Sequence, residues 1–67
     1  MSALQAYAEA IAAVARTRED LAAAEARRDE ERAGILAEAL DALLAVRDSA
    51  REAAWRAARM GHRSDAG

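Results

Sequence analysis

The chain has 67 residues and a mass of 7.1 kDa, with no cysteine, no proline, a single histidine and a formal net charge of −2 at pH 7. The lack of cysteine excludes a disulfide framework and a thiolate metal site, and the excess of acid argues against a protein that coats nucleic acid nonspecifically. Apolar runs are short and broken by charges, and no basic segment precedes an apolar stretch, so we expect no membrane span, no secretory signal and a cytoplasmic location.

Good helix formers dominate the chain, which predicts helix over roughly residues 3–60. Ser2 is placed to cap the start of this segment. Residues 2–5 fit a capping box, in which the serine hydroxyl accepts from an amide three residues on. A break that opens a new helix at Thr17 is an alternative, but no glycine or proline supports it. Side chains then recur in the alternating steps of three and four by which one helix packs along another: Leu4, Tyr7, Ile11, Val14, Arg18 and Leu21.

Residues 25–34 carry no large apolar side chain, which indicates either a fully solvated stretch of helix or a turn. The acidic run 29–31 is typical of a solvated surface, and Gly34 is suited to a left-handed helix end. We therefore predict a helical hairpin of two long helices with its turn near Gly34. The alternative is one continuous helix of about 85 Å, at 1.5 Å per residue, which would need a partner along its whole length.

A second apolar stripe follows the predicted turn, and most of the leucine of the chain lies between residues 36 and 44. Beyond Val46 the face thins to alanine, with Trp55 and Met60 as its large members. Tryptophan is enriched among the residues that dominate interfaces, although Trp55 and Tyr7 would serve an intrachain core equally well. The members of the stripe are Ile35, Leu36, Leu40, Leu43, Leu44, Arg47, Ala50, Ala54 and Ala57.

The fold class predicted is all-α, with a single helical interaction domain over residues 1–61 and a flexible C-terminal tail over residues 62–67. Alanine supplies 22 of the hydrophobic residues, and only 14 residues are large and apolar. Since a chain of this size buries only about 60% of the surface that it exposes when unfolded, one copy is short of a self-sufficient core. We expect association into a coiled coil or four-helix bundle, as a homo-oligomer or on a larger protein partner.

Groups suited to catalysis or to metal binding are scarce. His62 is the only histidine and follows the predicted helix end at Gly61. The chain has no Glu-x-x-His pair of the kind that holds iron in helical bundles and no glycine-rich phosphate loop. Basic residues are matched by acids on most turns, which disfavours a membrane-binding helix. We expect neither an enzyme nor a cofactor, a metal site or a small-molecule substrate.

Three segments resemble small actinobacterial proteins in which a charged N-terminal helix precedes a helix-turn-helix DNA-binding unit: residues 18–29, 35–42 and 46–51. The use of arginine in place of lysine and the excess of alanine also suggest a GC-rich actinobacterial or phage genome. The resemblance implies a degenerate helix-turn-helix at about residues 46–63, with arginines on its recognition helix facing DNA: Arg56, Arg59 and Arg63. The turn glycines of the family correspond here to Leu43 and Ala54, which favours continuous helix instead.

The function predicted from the sequence is therefore non-enzymatic protein–protein association, and a small DNA-binding regulator is the alternative. The residues predicted to form the interface are Leu4, Tyr7, Ile11, Val14, Leu21, Leu36, Leu40, Leu43, Leu44 and Trp55.

Overall fold

The structure is a computed structural model that describes the backbone of residues 2–66 and the side chains of residues 2–60. Helix α1 spans Ala3–Ala26 and helix α2 spans Glu30–Ala66, and a three-residue connection returns α2 along α1. The predicted all-α helical hairpin is thus confirmed, and the alternative of one continuous helix is excluded. The molecule is a rod of 58 × 15 × 14 Å.

Helix α1 begins as the sequence predicts and runs without interruption. Ser2 has an extended backbone, with φ −81° and ψ 157°, and its Oγ accepts from the backbone N–H of Gln5 at 3.1 Å. The alternative break at Thr17 is not formed. The hydroxyl of Thr17 instead donates to the carbonyl of Ala13 at 2.8 Å, the bond by which a threonine is accommodated inside a helix.

The connection between the helices is a Schellman motif built without glycine. The N–H of Arg28 donates to the carbonyl of Glu25 at 3.0 Å, and the N–H of Asp29 donates to the carbonyl of Ala24 at 2.9 Å. This pair of bonds satisfies carbonyls that the last turn of a helix leaves unpaired, and it needs a left-handed residue at the first position after the cap. Arg28 takes that position, with φ 59°.

Asp29 starts the second helix directly after it closes the first. Its Oδ1 accepts from the backbone N–H of Arg32 at 3.2 Å, and its carbonyl accepts from the N–H of Ala33 at 2.9 Å. Glu30 and Glu31 follow in the first turn, where negative charge is favoured by the helix dipole.

The turn therefore lies at residues 27–29, and the prediction that placed it near Gly34 is wrong. Gly34 lies inside α2 without a positive φ. An acidic N-cap and two acids in the first turn define the helix start more strongly than a glycine defines a helix end here.

The face of α1 that packs on α2 differs by part of a turn from the predicted stripe. Tyr7, Val14 and Leu21 belong to both, but Leu4 and Ile11 lie on an exposed flank. Most of the less exposed residues of α1 recur in steps of four and three, and Ala10, Val14 and Ala24 are buried. The full set is Ala3, Ala6, Tyr7, Ala10, Ala13, Val14, Thr17, Leu21 and Ala24.

Leucine supplies most of the large side chains on the α2 side of the seam. All four leucines of α2 are half-buried, and the α1 side of the seam includes several alanines, which let the helix axes approach. Ile35 and Ala57, which the sequence placed on this stripe, are exposed. The seam of α2 is formed by Ala33, Leu36, Leu40, Leu43, Leu44, Arg47, Ala50 and Ala54.

Helix α2 is longer than α1, with 37 residues against 24, so it extends past the start of α1 by roughly 20 Å at 1.5 Å per residue. The sequence predicts that the helix ends at Gly61, but the helix continues to Ala66. Most of the predicted tail, residues 62–67, is therefore helical.

Candidate functional site

One side of the seam carries large apolar side chains that neither helix covers. Leu4 is 70% exposed, Trp55 is 60% exposed and Ile11 is 45% exposed. We call this side the open face, and it consists of Leu4, Tyr7, Ile11, Arg18, Arg47, Arg51 and Trp55.

The open face begins as an apolar groove at the end of the hairpin where α1 starts. Leu4 and Tyr7 from α1 line it together with Trp55 from α2. Two alanines of α2, Ala54 and Ala58, also line it. Small residues beside large exposed ones leave a concave surface, which suits an inserted apolar side chain from a partner.

The groove continues along the seam into a part that is rich in arginine. Arg18 from α1 lines this part together with Arg47 and Arg51 from α2, and Ile11 and Val14 contribute apolar lining. Tyr7 and Arg51 line both parts, so the two parts are adjacent. Among the side chains that the structure describes, neither part is lined by an aspartate or a glutamate.

One of these arginines has an acidic neighbour. Arg47 Nη2 lies 3.2 Å from Asp48 Oδ1, and this is the one ion pair among residues 2–60. The Asp48 side chain is 68% exposed, and an exposed pair of this kind stabilises a fold by no more than about 1 kcal/mol. The Arg47 guanidinium can therefore exchange Asp48 for a carboxylate of a partner at little cost.

The predicted interface residues divide into two groups. Leu4, Ile11 and Trp55 lie on the open face, and Tyr7 lies between it and the seam. The others are used inside the hairpin, where α1 and α2 pack on each other: Val14, Leu21, Leu36, Leu40, Leu43 and Leu44. The structure thus assigns most of the predicted interface to intrachain packing.

The predicted helix-turn-helix is not formed. Helix α2 is continuous through residues 46–63, so the two helices and the turn that the resemblance implies are absent from this described segment. The physical reason is that alanine and leucine occupy the positions where glycine would permit a turn. Arg56 and Arg59 share their surface with Asp48 and Glu52, and Arg51 and Trp55 of the open face line the same surface. The side chain of Arg63 lies outside those described.

Two further exposed apolar residues, Ile35 and Val46, lie on α2 away from the open face. Ile35 is 62% exposed and Val46 is 55% exposed. Neither lines the groove that holds Trp55 and the arginines. The pair lacks both an aromatic residue and a concave lining from α1, which makes the open face the stronger candidate for binding.

The described residues offer neither a metal site nor a membrane-spanning helix. No group of three or more His, Cys, Asp or Glu side chains in this part of the chain is placed to hold a metal ion. Neither α1 nor α2, over the same residues, contains a stretch long and apolar enough to cross a membrane.

Sequence reasoning missed the arginine part of the groove. Arg18 and Arg47 interrupt the two apolar stripes. The signal was that each stripe carries an arginine, because the stripes of two helices in a hairpin lie along the same seam.

Comparison with known proteins finds no relative of this chain. No family model, no curated protein and no solved structure matches the chain at a significant level.

Proposed function

We propose that the protein is a non-enzymatic association module whose open face packs against a helix of another polypeptide, either a second copy or a larger partner. The observation that carries the proposal is the exposure of Leu4, Ile11 and Trp55 along one concave face. Exposed apolar side chains that are clustered, rather than scattered singly, mark interaction surfaces.

The surface area of the hairpin supports the same proposal. The chain exposes 5388 Å², whereas a compact monomer of its mass would expose roughly 4,100 Å². The difference, about 1,300 Å², exceeds the roughly 800 Å² that each partner contributes to a standard interface. The rod therefore has enough uncovered surface for one specific interface.

The buried core is too small to offset this exposure. Among the described residues it consists of two alanines and one valine, Ala10, Ala24 and Val14. Burial contributes about 25 cal/mol per Å² of apolar surface, so alanine contributes little per residue. Covering the open face would add the burial that the hairpin lacks.

Sedimentation velocity and thermal unfolding across a dilution series test this function. An oligomer that is weakened by the double substitution Leu4→Gln with Ile11→Gln supports it and assigns the face to a second copy. A monomer with a low melting temperature also supports it and points to a different protein as partner.

The matched control is Ile35→Gln with Val46→Gln, which removes equally exposed apolar side chains away from the open face. Two results would overturn the proposal. One is a monomer whose melting temperature is high and independent of concentration, and the other is an oligomer that only the control substitutions weaken.

A further inference from the structure

We infer that the natural occupant of the open face is an acidic amphipathic helix of a different protein, with apolar side chains against Trp55 and carboxylates against the arginines. This inference rests on the proposed association function and adds the chemistry of the partner. It follows from the division of the groove into an apolar part and an arginine part.

The shape of the groove suits a helix. It lies between two helices that run side by side, and its lining on α1 extends from Leu4 to Arg18. That interval corresponds to roughly 21 Å of helix, or about four turns. A partner helix of about three heptads would cover it and pack at the usual axis separation of 8–10 Å.

The charge of the groove selects an acidic partner. Arg18, Arg47 and Arg51 contribute three guanidinium groups, and no carboxylate among the described residues lines the arginine part with them. Asp48 pairs with Arg47, and Asp48 and Glu52 line the neighbouring surface with Arg51. Arg18 and Arg51 have no ion pair among residues 2–60, so covering them with an apolar helix would desolvate two unpaired charges at a large cost in free energy. Glutamate or aspartate side chains on the flanks of a partner helix would pair with the guanidiniums through short, charge-assisted hydrogen bonds.

A second copy is a poorer occupant for the same reason. In a two-fold symmetric dimer, the open face of one chain would meet the open face of the other. The arginine part of one chain would then meet either the arginine part or the apolar part of the other. The first arrangement brings like charges together, and the second covers the guanidinium groups without a carboxylate partner.

Duplex DNA would match the arginines but not the rest of the face. Phosphates offer nothing to cover Leu4, Ile11 and Trp55, which are the most exposed apolar residues of the groove. An acidic amphipathic helix matches both parts at once.

Trp55 provides the readout, because it is the only tryptophan of the chain and it lines the groove. The probe is a synthetic helix of about three heptads with leucine at positions a and d and glutamate at e and g, without aromatic residues. We expect its titration to shift the emission of Trp55 to shorter wavelength. The same peptide with lysine in place of glutamate should bind at least about tenfold more weakly.

A charge-reversed variant tests whether the arginines cause the preference for the glutamate peptide over the lysine peptide. Arg18→Glu with Arg51→Glu should bind the lysine peptide in preference to the glutamate peptide. The control Arg16→Glu should keep the preference of the natural chain, because Arg16 points away from Arg18 around α1 at 100° per residue. Circular dichroism of each variant verifies that the hairpin is retained.

Four results would overturn the acidic-helix inference. They are equal binding of the two peptides, binding of neither, saturable binding of duplex DNA in place of the peptides, and an emission shift that grows with protein concentration without any peptide. The last result would assign the face to a second copy and leave the proposed association function intact. Binding of neither peptide by a monomer of high melting temperature would overturn both.

Discussion

Arg28 holds a backbone conformation that arginine rarely adopts. Its φ of 59° is the one positive value at a non-glycine position among the described residues. The left-handed region costs an L-residue roughly 1–2 kcal/mol, because Cβ approaches the following carbonyl. The Schellman bonds and the cap at Asp29 offset this cost, so the turn is held by hydrogen bonds rather than by a permissive residue.

Arg28→Gly should therefore stabilise the hairpin, by about 0.5–1 kcal/mol. The measurement is urea unfolding followed by circular dichroism at a fixed protein concentration. Arg27→Gly is the control, since Arg27 has an ordinary φ of −86°, and it should lower the free energy of unfolding. Destabilisation by Arg28→Gly would contradict the assigned turn.

Asp29→Ala should destabilise the hairpin by about 1 kcal/mol, because it removes the acceptor for the N–H of Arg32 at the start of α2. Asp29→Asn should retain most of the stability, since the asparagine side chain keeps an oxygen acceptor. Thermal melts of the three proteins check this prediction, and equal loss in both variants would show that the cap bond is not the cause.

Gly34→Ala should stabilise the chain by about 0.5–1 kcal/mol, the usual difference between alanine and glycine inside a helix. A Cβ added at Gly34 would meet nothing within 4 Å. Ala37→Gly, at an exposed position of the same helix, should cost a similar amount. A loss of stability in Gly34→Ala would instead favour a left-handed turn at this residue.

At the scale of the helices, the sequence predicted the type of element well and the packed face less well. Ser2 as N-cap and the leucine stripe of α2 were both recognisable from spacing. The packed face of α1 was not recognisable in this way, because the prediction followed the large apolar side chains and the packed face also contains alanines. Tyr7, Val14 and Leu21 are shared by two heptad stripes, and which stripe packs depends on how much room the leucines of α2 need.

The turn was predicted at the wrong residue because glycine was given more weight than the acidic residues at the start of α2. Gly34 permits a turn, but Asp29 with two following glutamates favours a helix start, and the second preference prevails in the fold. The arginine groove could not be predicted either, because it depends on the packing of the two helices, which places Arg18 in one lining with Arg47 and Arg51.

Val14→Ala tests the packing of the two helices. Val14 is 4% exposed, and loss of its methyl groups should cost about 2 kcal/mol through lost burial and a residual cavity. Val46→Ala is the matched control on the exposed side of α2, with an expected change within about 0.5 kcal/mol. Equal effects in urea unfolding would contradict the assigned seam.

At the scale of the whole molecule, the hairpin is elongated rather than compact. Its radius of gyration is 16.2 Å, whereas a compact domain of this length would have roughly 11 Å. A rod exposes more surface for its volume, and here that surface includes the large side chains of the open face. The same geometry that leaves the chain short of a core gives it a long surface for a partner.

The free energy of unfolding of the isolated chain tests this account most directly. The measurement is urea unfolding followed by Trp55 emission at nanomolar concentration, with sedimentation confirming the monomer. We expect less than about 3 kcal/mol, the range of a small domain with an incomplete core. A monomer that unfolds with more than about 5 kcal/mol, as ordinary globular domains do, would show that the hairpin needs no partner and would contradict the account.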